Sequence, residues 1–129
     1  MAGLQKINKQ AIGYVERKSK MKFYKKPTIR YSKGDCNNTL RTKAGHITEA
    51  RVTIDKDLSK YPFNLIIPPV VIHELRENLG FQHGENKRIA HRNARTMEQR
   101  FVRTKAKSKS SESTYYCLVN LAGYSSNKR

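Results

Sequence analysis

Two consecutive stretches with apolar residues at helical spacing constrain the fold of this chain more than any other feature. The first, PPVVIHELRENLG, begins with two prolines, and the second is GENKRIAHRNARTMEQRFV. Proline suits the first turn of a helix and glycine its end, so Pro68 and Pro69 predict a helix start and Gly80 a stop. The sequence therefore predicts helices at residues 70–79 and 85–102, which fold back on each other as a hairpin.

The rest of the chain predicts a small sheet beside these helices. Apolar residues at helical spacing indicate another helix over residues 4–18. Alternating or continuous apolar runs predict strands at 27–32, 47–55 and 114–123, and Gly, Asn, Asp and Thr between the first two strands predict a loop over 33–46. We therefore expect an α+β fold, in which a mixed sheet of about three strands carries helices on one face.

Length and composition predict one domain outside the membrane. The chain has 129 residues, of which 36% are hydrophobic, and this suits a single domain over residues 1–129. No apolar run approaches the length of a membrane span, and the first residues lack the apolar core of a secretory signal. Cys36 and Cys117 are far apart in the sequence and form no CxxC pair. We expect free thiols in a reducing compartment, and hence a cytoplasmic location.

Positive charge is concentrated in two segments that flank a slightly acidic centre. The net charge is +17, and residues 1–33 carry 10 Lys and Arg with 1 acid. Residues 87–109 carry 9 Lys and Arg with 1 acid, whereas residues 34–86 carry 6 with 7 acids. Basic segments of this kind indicate a polyanionic partner, most often nucleic acid.

The basic segments predict a DNA- or RNA-binding surface. Residues 1–26 are expected to form a basic N-terminal helix and arm, and residues 103–113 a flexible basic linker. Alternatively, the positive charge only confers solubility, or anchors the chain to a ribonucleoprotein or virion without catalysis. The candidate contacts to nucleic acid are Lys22, Lys25, Lys26, Arg30, Arg103, Lys105, Lys107 and Lys109.

Polar residues on the first predicted helix of the hairpin have two interpretations. His73 and Glu77 lie four residues apart, so their side chains stack one turn apart, on the side opposite the apolar stripe. They could form an exposed ion pair on a solvated face. Alternatively, an imidazole and a carboxylate at this spacing could chelate a divalent ion, with Glu74 beside them to take a proton from a water molecule.

The second helix offers further candidate ligands. His91 and Glu98 are seven residues apart, so they lie on one edge of the helix, at the border of its apolar stripe. If the hairpin forms, either residue could complete a metal site in a core that spans residues 47–102. The alternatives are a hydrogen-bonded, partly buried histidine and an ion pair between Glu98 and Arg95.

These residues carry a resemblance to a known family. VVIHELREN resembles the active-site helix of the zincin metallopeptidases, whose signature is H-E-x-x-H. His73 matches the first zinc ligand and Glu74 the general base, whereas Glu77 stands where the family has its second histidine. The resemblance covers roughly residues 47–101, and it implies Zn²⁺ as cofactor and a peptide as substrate.

Two longer patterns extend the resemblance. HELRENLGFQHG is similar to the metzincin motif, in which Gly80 would match the turn and His83 the third ligand. AHRNARTME resembles an A-H-x-x-A-x-x-x-E element of small H-E-x-x-E proteins. The third ligand therefore stays open among His83, His91 and Glu98. No phosphate-binding glycine loop, CxxC pair or serine-hydrolase elbow offers another chemistry.

Overall fold

Three helices and a three-stranded sheet make up the part of the chain that the structure describes. The structure is a computed structural model that describes residues 2–60, 63–105, 115 and 116. Its elements in chain order are α1 (Ala2–Ser19), β1 (Thr28–Ser32), β2 (Asn37–Lys43), β3 (His46–Asp55), a 3₁₀ turn (Lys56–Lys60), α2 (Phe63–Gln82) and α3 (Lys87–Lys105). The predicted α+β class with a small mixed sheet is confirmed.

The sheet has the order β1-β3-β2, with β3 parallel to β1 and antiparallel to β2. Strand β2 lies within the segment that we predicted to be a loop, so that prediction was wrong. Its sequence, NNTLRTK, is polar because it forms a largely exposed edge, and it lacks the apolar alternation of a half-buried strand. Ala44 and Gly45 join β2 to β3 with φ values of 53° and 79°, as a two-residue hairpin turn requires.

The predicted strand over residues 114–123 is not a member of this sheet where the structure describes it. Tyr115 and Tyr116 are helical, and the remaining residues of that prediction lie outside the described part of the chain. The apolar run was ambiguous, because a short continuous run does not distinguish a buried strand from a buried helix. The third strand of the sheet is instead β2.

Helix α2 is longer than its proline and glycine signals predicted. It begins at Phe63, so Pro68 and Pro69 lie inside the helix rather than in its first turn. At the other end, the helix passes through Gly80 and stops before Gly84, which has a φ of 85°. The Glu85 N–H donates to the Gly80 carbonyl at 2.8 Å, a bond that closes the C-terminal turn.

Over residues 66–80, helix α2 is covered around its whole circumference. It packs against α1, α3, β2 and β3. The predicted core stripe is confirmed, since each of its members is at most 1% exposed: Val71, Ile72, Leu75 and Leu79. The opposite side is also covered, with His73 at 0% and Glu77 at 7% exposure. Of the two interpretations of this pair, the exposed ion pair on a solvated face is therefore wrong. Within the described residues, no helix is both long and apolar enough to cross a membrane.

Helix α3 begins with an asparagine cap. Asn86 Oδ1 accepts a hydrogen bond from the Ile89 N–H at 2.9 Å, so Glu85 precedes the helix instead of lying in its first turn. On the apolar stripe of this helix, Ala90, Ala94 and Met97 are buried and Phe101 is partly buried. The helix continues to Lys105, which corrects the predicted linker at residues 103–105. Residues 106–113 lie outside the described part of the chain.

A partly buried ion pair connects the two sides of the turn between α2 and α3. Arg76 Nη1 and Nη2 donate to the two carboxylate oxygens of Glu85 at 3.0 and 2.9 Å, and Asn93 donates to the same carboxylate at 3.2 Å. A side chain at Gly80 would meet Glu85, because a Cβ there would overlap with Glu85 Oε1. Glycine at this position therefore leaves room for the pair.

We expect Glu85→Gln to lower the free energy of unfolding by about 2–3 kcal/mol near pH 7, because the buried Arg76 guanidinium would lose its compensating charge. The hydrogen bond from Arg76 holds the pKa of Glu85 below its ordinary value of 4.5. The stabilisation is therefore fully present above about pH 4.5 and is lost as the pH falls through the lowered pKa. Urea denaturation from about pH 3 to pH 7 measures both effects.

Glu49→Gln is the matched control for this variant. Glu49 pairs with Arg41 and Arg51 on the sheet surface, and the Arg41 side chain is 70% exposed. The control should change the free energy of unfolding by less than about 1 kcal/mol. Equal losses in the two variants would contradict a special contribution from the Arg76–Glu85 pair.

Candidate metal centre

Helix α2 holds His73 and Glu77 in the protein interior, one turn apart. His73 Nε2 lies 3.7 Å from Glu77 Oε1, and the histidine side chain is completely buried. The two residues point away from the side of the helix that carries Val71 and Leu75, as the helical spacing predicted. They are nevertheless covered, because α3 and β2 pack over this side of α2. The pair therefore lies in a buried polar cluster.

His91 on α3 completes a group of three possible ligands. Its Nδ1 lies 3.0 Å from Glu77 Oε2, and its ring meets the His73 ring edge-on at a centroid distance of 5.1 Å. Ligand atoms of His73, Glu77 and His91 all lie within 4.8 Å of one another. The His91 side chain is 26% exposed, so it forms the solvent-facing side of the cluster. The hairpin thus brings together residues that are 14 to 18 positions apart.

Glu98 contacts the other nitrogen of His73. Its Oε1 lies 2.7 Å from His73 Nδ1, and its Oε2 accepts a hydrogen bond from the Tyr115 hydroxyl at 3.0 Å. A neutral His73 that donates from Nδ1 to this carboxylate presents an unprotonated Nε2 on the opposite edge of its ring. Nε2 is buried and has no hydrogen-bond partner in the described part of the chain.

The position of Glu98 differs from the ligand position that we predicted for it. It lies behind the His73 ring, so it can orient that side chain but does not join the group of three among the described residues. Its contact with His73 crosses between two helices. A carboxylate behind a ligating histidine is a common feature of metal sites.

Asn38 is a member of the cluster that the sequence did not reveal. Its Nδ2 donates to Glu74 Oε1 at 3.2 Å and to Glu77 Oε1 at 3.3 Å. Because Asn38 lies on β2, in the segment predicted to be a loop, nothing in its local sequence connected it with α2. The contact brings the carboxylate of the predicted general base, Glu74, beside that of the predicted ligand, Glu77.

The donor set fits a divalent cation. Ligands at 2.0–2.2 Å from a tetrahedral zinc lie about 3.4 Å apart. His73 Nε2 lies 3.7 Å from Glu77 Oε1, His91 Nδ1 lies 3.0 Å from Glu77 Oε2, and one ligand atom of each residue lies within 4.8 Å of the others, so small side-chain shifts would bring them to this spacing. Glu74, Glu77 and Glu98 are 2%, 7% and 0% exposed. Burial of three carboxylates in one cluster is costly unless their charge is compensated, and a divalent ion would provide two positive charges.

His83, the third ligand in the longer motif, lies elsewhere. Its Nε2–H donates to the Lys22 carbonyl at 2.8 Å, and its ring stacks on Tyr24 at a centroid distance of 4.6 Å. Gly80, which the same motif places in a turn, is helical. Of the three alternatives for the third ligand, only His91 has a ligand atom in the described cluster.

The predicted nucleic-acid contacts are on the surface where the structure describes them. The exposed residues of this set are Lys22, Lys25, Lys26, Arg30, Arg103 and Lys105. Lys107 and Lys109 lie outside the described residues. Arg103 also lines a groove between α1 and α3, of about 600 Å³, together with Lys18, Arg76 and Arg100. Side chains from the two basic segments, residues 1–33 and 87–109, therefore line one groove.

Comparisons with known proteins give no relative for this chain. No family model matches it, and neither a curated protein nor a solved structure matches it. The zincin resemblance therefore depends on the residues of the motif themselves.

We expect Asn38→Asp to lower the free energy of unfolding of chelator-treated protein by about 2–3 kcal/mol. The variant would remove the amide donor shared by Glu74 and Glu77 and would place a third carboxylate beside them. Asn37→Asp, on the neighbouring exposed residue, is the matched control and should stay within about 0.5 kcal/mol of the parent. Urea unfolding curves of equal midpoint for the two variants would contradict the shared hydrogen bond.

Proposed function

We propose that this protein is a zinc-dependent hydrolase in which His73, Glu77 and His91 bind the metal. The supporting observation is that two imidazoles and one carboxylate lie together, and that the buried Nε2 of His73 among them has no hydrogen-bond partner in the described residues. This is the ligand composition of several zinc peptidases. The motif lacks the second histidine of H-E-x-x-H, and His91 on the next helix would supply the missing imidazole.

Glu74 is the proposed general base. A zinc ion bound to the three ligands would act as a Lewis acid and lower the pKa of a nearby water molecule. Glu74 would accept a proton from this water molecule while the oxygen of the water forms a bond to the substrate carbonyl carbon. The same carboxyl group would then donate the proton to the leaving amine as the C–N bond breaks. The hydrogen bond from Asn38 would hold the Glu74 carboxylate beside the reacting atoms.

Glu98 and Tyr115 are proposed as positioning residues. The Glu98 carboxylate would fix the His73 tautomer with its proton on Nδ1, and the Tyr115 hydroxyl would in turn orient Glu98. Neither residue would touch the substrate. The partly exposed His91 marks the side from which a substrate would enter. The zincin resemblance favours a peptide substrate. The two cysteines, which are far apart in the sequence, are expected to be free thiols, and free thiols favour the cytoplasm as the location of this activity.

We expect tag-free, chelator-treated protein to bind about one Zn²⁺ per chain. His73→Ala, Glu77→Ala and His91→Ala should each weaken zinc binding by more than about 100-fold, because each variant removes one of three ligands. Glu98→Gln should weaken binding by about 10- to 100-fold, as expected for a partner behind a ligand. Glu77→His should retain zinc. Isothermal titration and metal analysis measure these differences.

His83→Ala is the control, since His83 lies at Lys22 rather than in the cluster. It should bind zinc like the parent, and equal affinities across all of these variants would contradict the site.

Hydrolysis of a fluorescently labelled casein tests the base separately. Glu74→Gln should keep its zinc and lose at least about 100-fold in rate. An unchanged rate in this variant would remove Glu74 from the mechanism.

A second function, attachment to nucleic acid, is supported by the charge distribution. The net charge is +17, and three exposed basic side chains, Lys18, Arg100 and Arg103, line the groove between α1 and α3. Phosphate contacts of lysine and arginine would give an affinity that needs no particular base sequence. Such attachment is compatible with catalysis, because it could bring the hydrolase to proteins bound on DNA or RNA.

We expect binding to a mixed-sequence DNA or RNA to weaken steeply between about 50 and 200 mM salt, because each phosphate contact releases counterions. Fluorescence anisotropy at several salt concentrations gives the slope. Arg100→Ala combined with Arg103→Ala should make the slope shallower, and Glu49→Gln, on the sheet surface, should leave it unchanged. An affinity that does not depend on salt would contradict the electrostatic attachment.

A further inference from the structure

Tyr24 presents an aromatic ring to solvent on the segment that joins α1 to β1. It is 72% exposed, although large apolar side chains are normally covered. One face of its ring stacks on His83, with a centroid distance of 4.6 Å and an interplanar angle of 25°. The opposite face is therefore open to a ligand.

The main chain on both sides of Tyr24 is fixed to the end of α2. Gln82 Oε1 accepts hydrogen bonds from the Tyr24 and Lys25 N–H groups at 2.9 and 3.2 Å, and Gln82 Nε2 donates to the Lys25 carbonyl at 2.9 Å. His83 Nε2–H donates to the Lys22 carbonyl at 2.8 Å. The exposed ring is thus held in place before any ligand arrives, which reduces the entropy lost on binding.

The surroundings of the ring suit a ligand that is both aromatic and anionic. Residues 20–30 carry five Lys and Arg and no acid: Lys20, Lys22, Lys25, Lys26 and Arg30. Beside the ring lies a depression of about 630 Å³, within the size range of ligand pockets. Its lining combines apolar and polar side chains, among them Leu40, Thr42, His46 and Phe81.

We infer that Tyr24, supported by His83, is a stacking platform for an unpaired base of single-stranded nucleic acid. Lysines on either side of the ring would contact the flanking phosphates, and the adjacent depression would receive the neighbouring nucleotide. A single strand fits better than a duplex, because the bases of a duplex are already stacked on each other. The inference rests on the proposed nucleic-acid attachment and adds the form of the ligand and its place on the surface.

Anisotropy of a fluorescein-labelled (dT)₁₅ tests the stacking contact in the full chain. Tyr24→Ala should weaken binding by about 5- to 150-fold without changing the salt slope, because it removes a base contact and no charge. Tyr24→Phe should bind like the parent. Lys25→Ala should instead make the slope shallower by about 0.7, the value for one phosphate contact on a single strand.

Because the chain contains no tryptophan, a single introduced tryptophan can show where the nucleic acid binds. The emission of Tyr24→Trp should be quenched when (dT)₁₅ binds. Tyr14→Trp is the control: Tyr14 lines the groove between α1 and α3, and its ring packs edge-on against Phe101. Because Tyr14 lines the groove of Arg100 and Arg103, quenching in Tyr24→Trp supports the platform whether or not Tyr14→Trp is also quenched, whereas quenching only in Tyr14→Trp overturns it.

These experiments distinguish a failure of the nucleic-acid function from a failure of the stacking platform. If the parent does not bind (dT)₁₅ or a duplex of the same length at low salt, the nucleic-acid function itself is wrong. If the parent binds (dT)₁₅ and Tyr24→Ala binds within about twofold of it, the platform alone is overturned. Stronger binding of the duplex than of (dT)₁₅ would also overturn the preference for a single strand.

Discussion

The contact between His73 and Glu98 lies where α2 and α3 pack together, and the candidate site depends on it. The two side chains are completely buried, and their closest atoms are 2.7 Å apart. The contact fixes which nitrogen of His73 faces the cluster. It also sets the register of the helices, because a shift of one residue along α3 would turn Glu98 by about 100° away from the ring. The approach of His91 to Glu77 requires the same register.

A polar cluster inside a small core has an energetic cost. Replacing such groups with apolar residues often leaves stability unchanged or raises it, so a cluster of this kind is weak support for a purely stabilising role. Here the carboxylates are arranged unequally: Glu98 orients His73, Glu77 contacts both histidines, and Glu74 shares an amide donor with Glu77. This division of contacts suits the proposed metal site, in which ligands, their supports and a base need different surroundings.

The sequence predicted the helical hairpin and the strands β1 and β3, because their apolar periodicities are strong and local. It also placed His73, Glu77 and His91 among the candidate ligands. It failed for β2, whose polar edge residues carry little periodicity, and therefore for Asn38. Periodicity showed that His73 lies opposite the apolar stripe, but it could not show that α3 and β2 cover that side. The position of Glu98 behind the ligand likewise depends on helix packing, which no local pattern encodes.

X-ray absorption at the zinc edge tests the central claim most directly, because it reports the atoms around the ion. For the tag-free, zinc-loaded chain, the account predicts two imidazole nitrogens and one carboxylate oxygen at about 2.0–2.2 Å. One imidazole contribution should disappear in His91→Ala, and both should remain in His83→Ala. The absence of imidazole scattering around the zinc would contradict the site. A spectrum that is the same in His91→Ala and in the parent would also contradict it.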